Sequence, residues 1–440
     1  MTANSAYLRN PALTPKPHVL DAFARRAVES RLAGIRDGRL TIRDERGTRS
    51  YGAPTARCAL SVMIEVHDAR FWSELAFAGS IGAGEAYMQG YWTTDDLTGV
   101  IRLLAQNRNV VEGMETGWSR VTAPLQRGLH WVNRNTRSGS RRNIAAHYDL
   151  GNDFFALFLD PTMMYSSAIF EQPGLTLEQA QRARLDRICR KLELQPTDHL
   201  LEIGTGWGGM AIHAALHYGC RVTTTTISRQ QYEAAVERVR AAGVADRVNV
   251  LLEDYRDLSG RYDKLVSIEM IEAVGHHFYD TYFATCSRLL APDGLMLLQA
   301  ITIADQRYVA ARDSVDFIKR HIFPGSCIPS ITALMGSIAD ASTLRLIHLE
   351  DFGPDYATTL RLWREAFMGK LDQVRALGYP ETFIRMWEFY LCYCEGGFAE
   401  RAIGDAQLLL AGPDNRRAPL IAPIPRDGTL FNAAPTGSDY

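Results

Sequence analysis

"LLEIGTGWGG", Leu200 to Gly209, is the stretch that decides the fold. A short apolar run suited to a buried strand ends in a turn holding Gly204, Gly206, Gly208 and Gly209. Glycine allows positive φ and lets a ligand approach bare backbone. In a strand–turn–helix unit that ligand sits at the carboxyl ends of the strands, at a helix N-terminus. Strands and helices alternate on both sides of this turn. "HLLEI", "RVTTTTI", "VNVLLED", "DKLVSIEM" and "LMLLQAITI" read as strands. Met210 to Tyr218 reads as a helix, and Ser228 caps another that runs through Arg240. This alternation predicts an α/β doubly wound, Rossmann-like parallel sheet covered on both faces.

Two ligand classes use such a turn. A dinucleotide site places an acid at the end of the second strand to hold the ribose. Here that strand ends "TTTTIS", with no acid. The form Glu202-x-Gly204-x-Gly206-Trp207-Gly208 is also the first motif of methyltransferases that bind S-adenosylmethionine (SAM), and this reading is preferred. "EDYRDL" follows the third strand. Asp254 is the candidate to approach adenine, with Tyr255 and Arg256 beside it; the alternative for Asp254 is a loop cap.

The 440 residues suit two or three domains. An N-terminal α+β domain is expected over 1–125, a basic linker over 126–143, the catalytic domain over 144–410 and a flexible tail over 411–440. In the first of these, Leu40 to Ile42 and Ala59 to His67 read as strands, and Phe71 to Phe77 and Thr94 to Leu104 as helices. Thr176 and Gln179 form a candidate capping box for a helix to about Leu192. After Ile303 the pattern is mainly helical through Phe398. "NDFFALF", Asn152 to Phe158, is either a lipid-contacting helix or part of an aromatic core.

A net charge of −2 argues against nucleic-acid binding by the chain as a whole. Locally, Arg127, Arg134, Arg137, Arg141 and Arg142 stand without an acid between them, as a solvated linker or a stripe for anionic headgroups. Seven scattered cysteines are no disulfide framework and fit a reducing cytosol. Cys392 and Cys394 lack further ligands at metal-site spacing, so no metal is expected. No signal peptide or membrane span is read, so any membrane contact is expected to be peripheral and from the cytoplasmic side.

Taken together, "GEAYMQGYW", "HYDLGNDFF", "LEIGTGWGG", "TISRQQ", "EDYRDL", "IEMIEAVGH", "DFIKRHIFPG", "FGPDYATTL" and "YLCYCEGGF" resemble the cyclopropane-fatty-acyl-phospholipid synthase family, from Gly84 to Phe398. The resemblance implies transfer of the SAM methyl to a cis double bond of an unsaturated phospholipid acyl chain. Proton loss then closes a cyclopropane ring, with a bound bicarbonate as the base in many members. It implies Tyr356 as the active-site tyrosine and Glu272 as the glutamate that orients bicarbonate. It also implies Tyr165 and Ser166 near the methionine part of SAM, and Thr226 and Gln231 on the ribose side. An N-terminal domain that helps present lipid follows, as does a homodimer in some relatives.

Two positions depart from the family pattern. Ser167 stands where Tyr-Ser-Cys-Ala has cysteine, and Gln299 where Leu-Leu-His-Thr has histidine; both usual residues contact bicarbonate. Serine still offers a hydroxyl and glutamine a donor and an acceptor. The departures leave open a methylene- or methyl-branched product in place of the ring. A small-molecule methyltransferase is the more distant alternative.

Overall fold

A computed structural model of the chain describes residues 19–110, 150–418 and 420. The expected basic linker lies outside these residues. In the N-terminal part, α1 (Val19–Leu32) precedes β1 (Gly38–Asp44), β2 (Gly47–Ala53) and β3 (Ser61–Val66). Then come α2 (Arg70–Met88), β4 (Trp92–Thr94) and α3 (Leu97–Gln106). The sheet order is β2-β1-β3-β4, with β1 and β3 parallel and the outer pairs antiparallel. Helix α2 is far longer than its apolar start suggests, because "GSIGAG" hides the pattern. Gly79 (φ 56°) breaks it into two segments. Asp96 caps α3 by accepting from the Gly99 amide at 2.7 Å.

The larger sheet holds seven strands: β5 (His199–Ile203), β6 (Arg221–Thr225), β7 (Val248–Leu251), β8 (Tyr262–Ile268), β9 (Leu290–Ile303), β10 (Arg345–Asp351) and β11 (Ile403–Ala411). Their order is β10-β11-β9-β8-β5-β6-β7. The strands from β7 to β9 are parallel; β11 runs antiparallel to β9, and β10 antiparallel to β11 at the edge. The helices are α4 (Asn152–Ala156), α5 (Leu177–Lys191), α6 (Gly209–Tyr218), α7 (Arg229–Ala241), α8 (Ile271–Val274) and α9 (Tyr279–Leu289). The late ones are α10 (Asp305–Asp313), α11 (Phe317–His321), α12 (Ile331–Ala341), α13 (Gly353–Met368), α14 (Leu371–Ala376) and α15 (Glu381–Ala399). Thr176 and Gln179 do form a capping box on α5. Leu295 to Leu298 on β9 are all buried, as a strand covered on both faces requires.

Two expectations change. The stretch after Ile303 is interrupted by β10, and β11 follows it, so the doubly wound sheet gains an antiparallel edge. The expected flexible tail from residue 411 is partly packed. Ala411 ends β11, Asn415 Nδ2 donates to the Asp293 carbonyl, and Arg417 donates to the Lys191 carbonyl and pairs with Glu193.

Helices α2 and α3 lie against α15, and one apolar core runs from Leu40 and Trp72 through Phe317 and Phe389 to Trp363. At Gly84 the helices touch so closely that a Cβ would stand 2.5 Å from the Phe317 ring. Polar ties follow the same seam: Tyr87 OH donates to Glu388 (2.8 Å) and Arg102 pairs with Glu400 (2.7 Å). Phe154, Phe155 and Phe158 are buried among Trp387, Trp207 and Tyr165. "NDFFALF" is therefore core.

Candidate active site

At the topological switch between β5 and β8, the chain after β5 turns through Gly204 (φ 104°), Gly206 (φ 52°) and Gly208 (φ 84°) into α6. A Cβ on Gly206 would meet nothing within 4 Å. The turn opens onto a cavity of about 990 Å³ whose wall includes Glu202, Gly204, Trp207, Thr226, Gln231 and Asp254. Trp207 fixes the turn from behind: its Nε1 donates to Asn152 (2.7 Å) and its ring packs on Phe155. Burial pushes the Glu202 carboxyl up to about 8, and the Thr224 hydroxyl donates to it at 2.6 Å.

The residues expected to hold SAM are gathered here. The Ser166 hydroxyl lines the cavity, is buried and has no hydrogen-bond partner. An orphaned buried hydroxyl is costly unless a ligand meets it. Thr226 donates to Gln231 Oε1 (2.8 Å), which leaves the Gln231 NH₂ as a donor. Asp254 is indeed a cap, accepting from the Arg256 amide, and its carboxylate takes both Arg256 Nε (2.8 Å) and an Arg256 terminal nitrogen (2.6 Å). It also lines the cavity with Tyr255 and Arg256. Tyr165 shares a hydrogen bond with Tyr390 (2.8 Å) between this end and the rest of the cavity. The cradle fits a SAM-sized ligand.

Away from the turn the cavity is largely apolar and aromatic, with Arg307, Asp316 and Lys319 also in its wall. It passes Phe389, Tyr390 and Phe398 to Leu75 and Ala83 of α2 and Leu104 of α3. Tyr356 is stacked on Phe398 at 4.4 Å between centroids.

Beside Tyr356, the residues singled out as catalytic converge, but on a carboxylate that the sequence reading passed over. Glu269 Oε1 accepts from the Ser167 amide (2.8 Å) and from Gln299 Nε2 (2.8 Å). Glu269 Oε2 accepts from the Tyr356 hydroxyl at 2.7 Å. Its backbone has φ 47°, a left-handed conformation costly for a residue with a Cβ. Ser167 acts through its amide; its hydroxyl donates to the Ala168 carbonyl (2.9 Å), contrary to the expected hydroxyl role. Ser167 and Gln299 lie behind the cavity wall, while Glu269, Glu272 and Tyr356 form it.

Glu272 is held differently. Oε1 accepts from the Ile301 amide at 2.5 Å and Oε2 has no hydrogen-bond partner. Burial and then the Glu269 charge push its carboxyl up to about 8. A third carboxyl, Asp405 on β11, is driven well above its usual range by burial, by the Glu269 charge and by a hydrogen bond with Glu269. Arg184 is the buried cation near them, with Nε and one terminal nitrogen unpartnered. Like charges this close cannot all ionise, so Glu272 and Asp405 are the two carboxyls driven toward the protonated form.

A polar relay fixes the amides. Lys191 Nζ, which can only donate, bonds Gln407 Oε1 (2.8 Å) and Glu350 (2.6 Å). The Gln407 NH₂ must then face Gln299 Oε1 (3.1 Å), and the Gln299 NH₂ must face Glu269. Asp405 and Gln407 are two apart on β11 and share a face, the one signal in "IGDAQLLLA" that could have found them. Because these donors already meet at Glu269, the residues here do not fit a bicarbonate ion. The His276 and His277 rings lie against each other at a tilt, outside the cavity wall. Cys392 is buried within α15, where Cys394 also lies.

Residues 135–408 match the family described as mycolic acid cyclopropane synthetase, more than half of the chain. The chain is 43% identical over 327 residues to the tuberculostearic acid methyltransferase UfaA1 of Mycobacterium tuberculosis, covering 73% of this chain and 76% of that protein. It is 38% identical over 344 residues to the cyclopropane-fatty-acyl-phospholipid synthase of Escherichia coli, covering 77% and 85%. Among solved structures, the cyclopropane synthase MmaA2 of Mycobacterium tuberculosis superposes with a TM-score of 0.58 at 34% identity, over 62% of this chain and 98% of that one. The mycolic acid cyclopropane synthase CmaA1, solved with SAH and CTAB, gives 0.57 at 34% identity over the same shares. A glycine turn at the switch point, a SAM-sized cradle and this run of matching sequence place the chain in the mycolic acid cyclopropane synthetase family, as a SAM-dependent methyltransferase.

Proposed function

We propose that this enzyme transfers the methyl of SAM to a cis double bond in the acyl chain of an unsaturated phospholipid and completes a cyclopropane ring. The carrying observation is one cavity that joins the glycine turn to an aromatic, acyl-sized chamber, with Glu269, Glu272 and Tyr356 in its wall. An alkene is a weak nucleophile, and the cation formed on methyl transfer needs a dry, polarised site. Aromatic faces attract a cation without reacting with it, and carboxylates offset its charge. When bound, SAM supplies an electrophilic methyl; the chain's residues orient the alkene, exclude water and accept the proton.

No helix among the described residues is long and apolar enough to cross a membrane. Helices α2 and α3, which wall the chamber's far part, are the elements that would receive the lipid's acyl chain at a membrane surface. The names of the Escherichia coli synthase and of the matched family support the ring product.

A second product reading is a methylene or methyl branch. It is favoured by Gln299 and by the 43% identity to a tuberculostearic acid methyltransferase. Incubation with SAM and cis-monounsaturated phospholipid vesicles, followed by mass and proton NMR analysis of released acyl chains, tests both. Gain of one CH₂ with loss of alkene protons and new upfield cyclopropyl protons supports the ring. The same gain with alkene protons retained sinks it and supports a methylene branch. A parallel incubation with an added nicotinamide hydride donor tests the methyl branch, whose saturated chain gains a methyl and a hydride and shows a methyl doublet.

A further inference from the structure

We propose that the Glu269 carboxylate is the resident anion of the active site, filling the place of a dissociable base and itself taking the proton released after methyl transfer. The proposal rests on the lipid-methylating function above and adds to it the identity of the base. Three donors from three separate parts of the chain converge on this one side chain: the Ser167 amide before α5, the Gln299 amide on β9 and the Tyr356 hydroxyl on α13. Such a ring of fixed donors is what a small oxyanion requires. A tethered carboxylate needs no association step and holds its place at every turnover. The position bears a left-handed φ of 47° in a residue other than glycine, a local cost that aims the side chain into the donors. The relay from Lys191 through Gln407 leaves Gln299 no choice but to present its NH₂.

The alkene π pair forms the bond to the transferred methyl carbon as the carbon–sulfur bond breaks, its pair leaving with sulfur. The adjacent alkene carbon becomes the cation, within a wall formed by Tyr356 and Glu269. A C–H bond of the new methyl then breaks. Its proton goes to Glu269 Oε2, and its electron pair closes the second carbon–carbon bond of the ring. Glu269 is left neutral and releases one proton to solvent before the next turnover. Oε1 is already occupied by the Ser167 and Gln299 donors, whereas Oε2 holds the Tyr356 hydroxyl and is the oxygen assigned to accept.

The test uses the full chain with two variants in CO₂-free and bicarbonate-containing buffers. Glu269→Gln keeps the shape but cannot take a proton. Glu269→Gly vacates the donors and is conformationally at ease at positive φ. SAM affinity reports that each variant is folded. Lipid turnover is read in both buffers, and binding of ¹³C-bicarbonate is read by NMR without turnover. The wild type is expected to turn over equally in both buffers and to bind no labelled bicarbonate. Glu269→Gln is expected to lose about 10²–10⁴-fold in kcat with SAM affinity retained. Glu269→Gly is expected to be inactive without bicarbonate, to bind the labelled ion and to regain turnover when it is added, but not with chloride.

A wild type that stops in CO₂-free buffer or binds the labelled ion overturns the proposal. So does a Glu269→Gln variant with wild-type kcat. If the wild type binds SAM yet modifies no lipid, the functional reading fails separately. The NMR arm still decides the anion's place: labelled bicarbonate bound by Glu269→Gly and not by the wild type upholds it, and the reverse overturns it.

Discussion

Replacing Gln407 by leucine removes the middle of the relay while nearly conserving volume. Two consequences follow from the geometry. Lys191 loses its 2.8 Å bond to Gln407 Oε1, a charge-assisted bond in a buried setting. Such bonds contribute about 1.5–3 kcal/mol, and orphaning the facing Gln299 Oε1 costs a further ~1–3 kcal/mol. Added apolar burial by leucine offsets about 1–2 kcal/mol of this. The expected net loss is about 2–3 kcal/mol, read as a lower urea midpoint with the slope unchanged. The second consequence is chemical. With no donor facing its oxygen, Gln299 is free to rotate its amide and withdraw its NH₂ from Glu269. If one charge-assisted bond to Glu269 is lost in the transition state, kcat falls about ten- to a hundredfold. Gln407→Glu separates the two effects. It keeps a partner for Lys191, and Gln299 can turn its NH₂ toward the new carboxylate, so less stability is lost than with leucine while kcat falls equally. A Gln407→Leu variant that loses stability yet keeps full kcat would refute the claim that this relay orients Gln299.

Ser167→Ala is expected to keep near-wild-type turnover, because the side chain bonds only its neighbour's carbonyl while the amide serves Glu269, whereas Ser167→Pro, lacking the amide, abolishes it in the same lipid assay. Glu272 ionises near 4.5 when unfolded but at about 8 in the folded chain, so the native state loses stability as pH rises between these values. Glu272→Gln removes that loss, and its thermal midpoint should rise above wild type progressively across this range, by about 2–4 kcal/mol equivalent at its upper end. Glu350 behaves oppositely: although burial opposes it, hydrogen bonds from Arg187 and Lys191 hold its carboxyl down at about 2. Its contribution is present above about 4.5 and is lost as pH falls through about 2; after discounting for its partial exposure, Glu350→Gln should flatten acid unfolding by about 1–2 kcal/mol. Gly84→Val drives a side chain into Phe317 and Phe389, and should lower stability by about 1–3 kcal/mol and raise the lipid KM more than it lowers kcat.

The parallel half of the large sheet was legible because its strands are short β-forming runs separated by turns and helices, one of them capped by Ser228. The cradle was legible for the same reason: Gly204 and Gly206 mark a backbone that must turn and stay bare. What sequence could not show was pairing across long separations. β10 and β11 lie about fifty residues apart and are joined by helices, so neither announces that β11 pairs with β9 and β10 with β11. Glu269 illustrates the same limit. It stands three residues from Glu272 in one motif, and only the folded chain shows which of the two receives the donors of Ser167, Gln299 and Tyr356. The hydroxyl role expected of Ser167 failed because a residue type lists its side-chain groups, while the useful group was its amide.

β11 lies inside the sheet, between β9 and β10, although it is the last strand in chain order among the described residues. On the ribosome, the glycine turn and its cradle therefore emerge and can close long before Asp405 and Gln407 leave the exit tunnel. Until they do, β9 offers an unpaired apolar edge, Leu295 to Leu298, which invites strand pairing with other chains and calls for chaperone cover. The same delay acts as a timing device. A nascent chain can fold around its methyl donor while Gln299 still lacks the partner that orients it, so competence for the alkylating step arrives only once β11 has been made and has paired with β9.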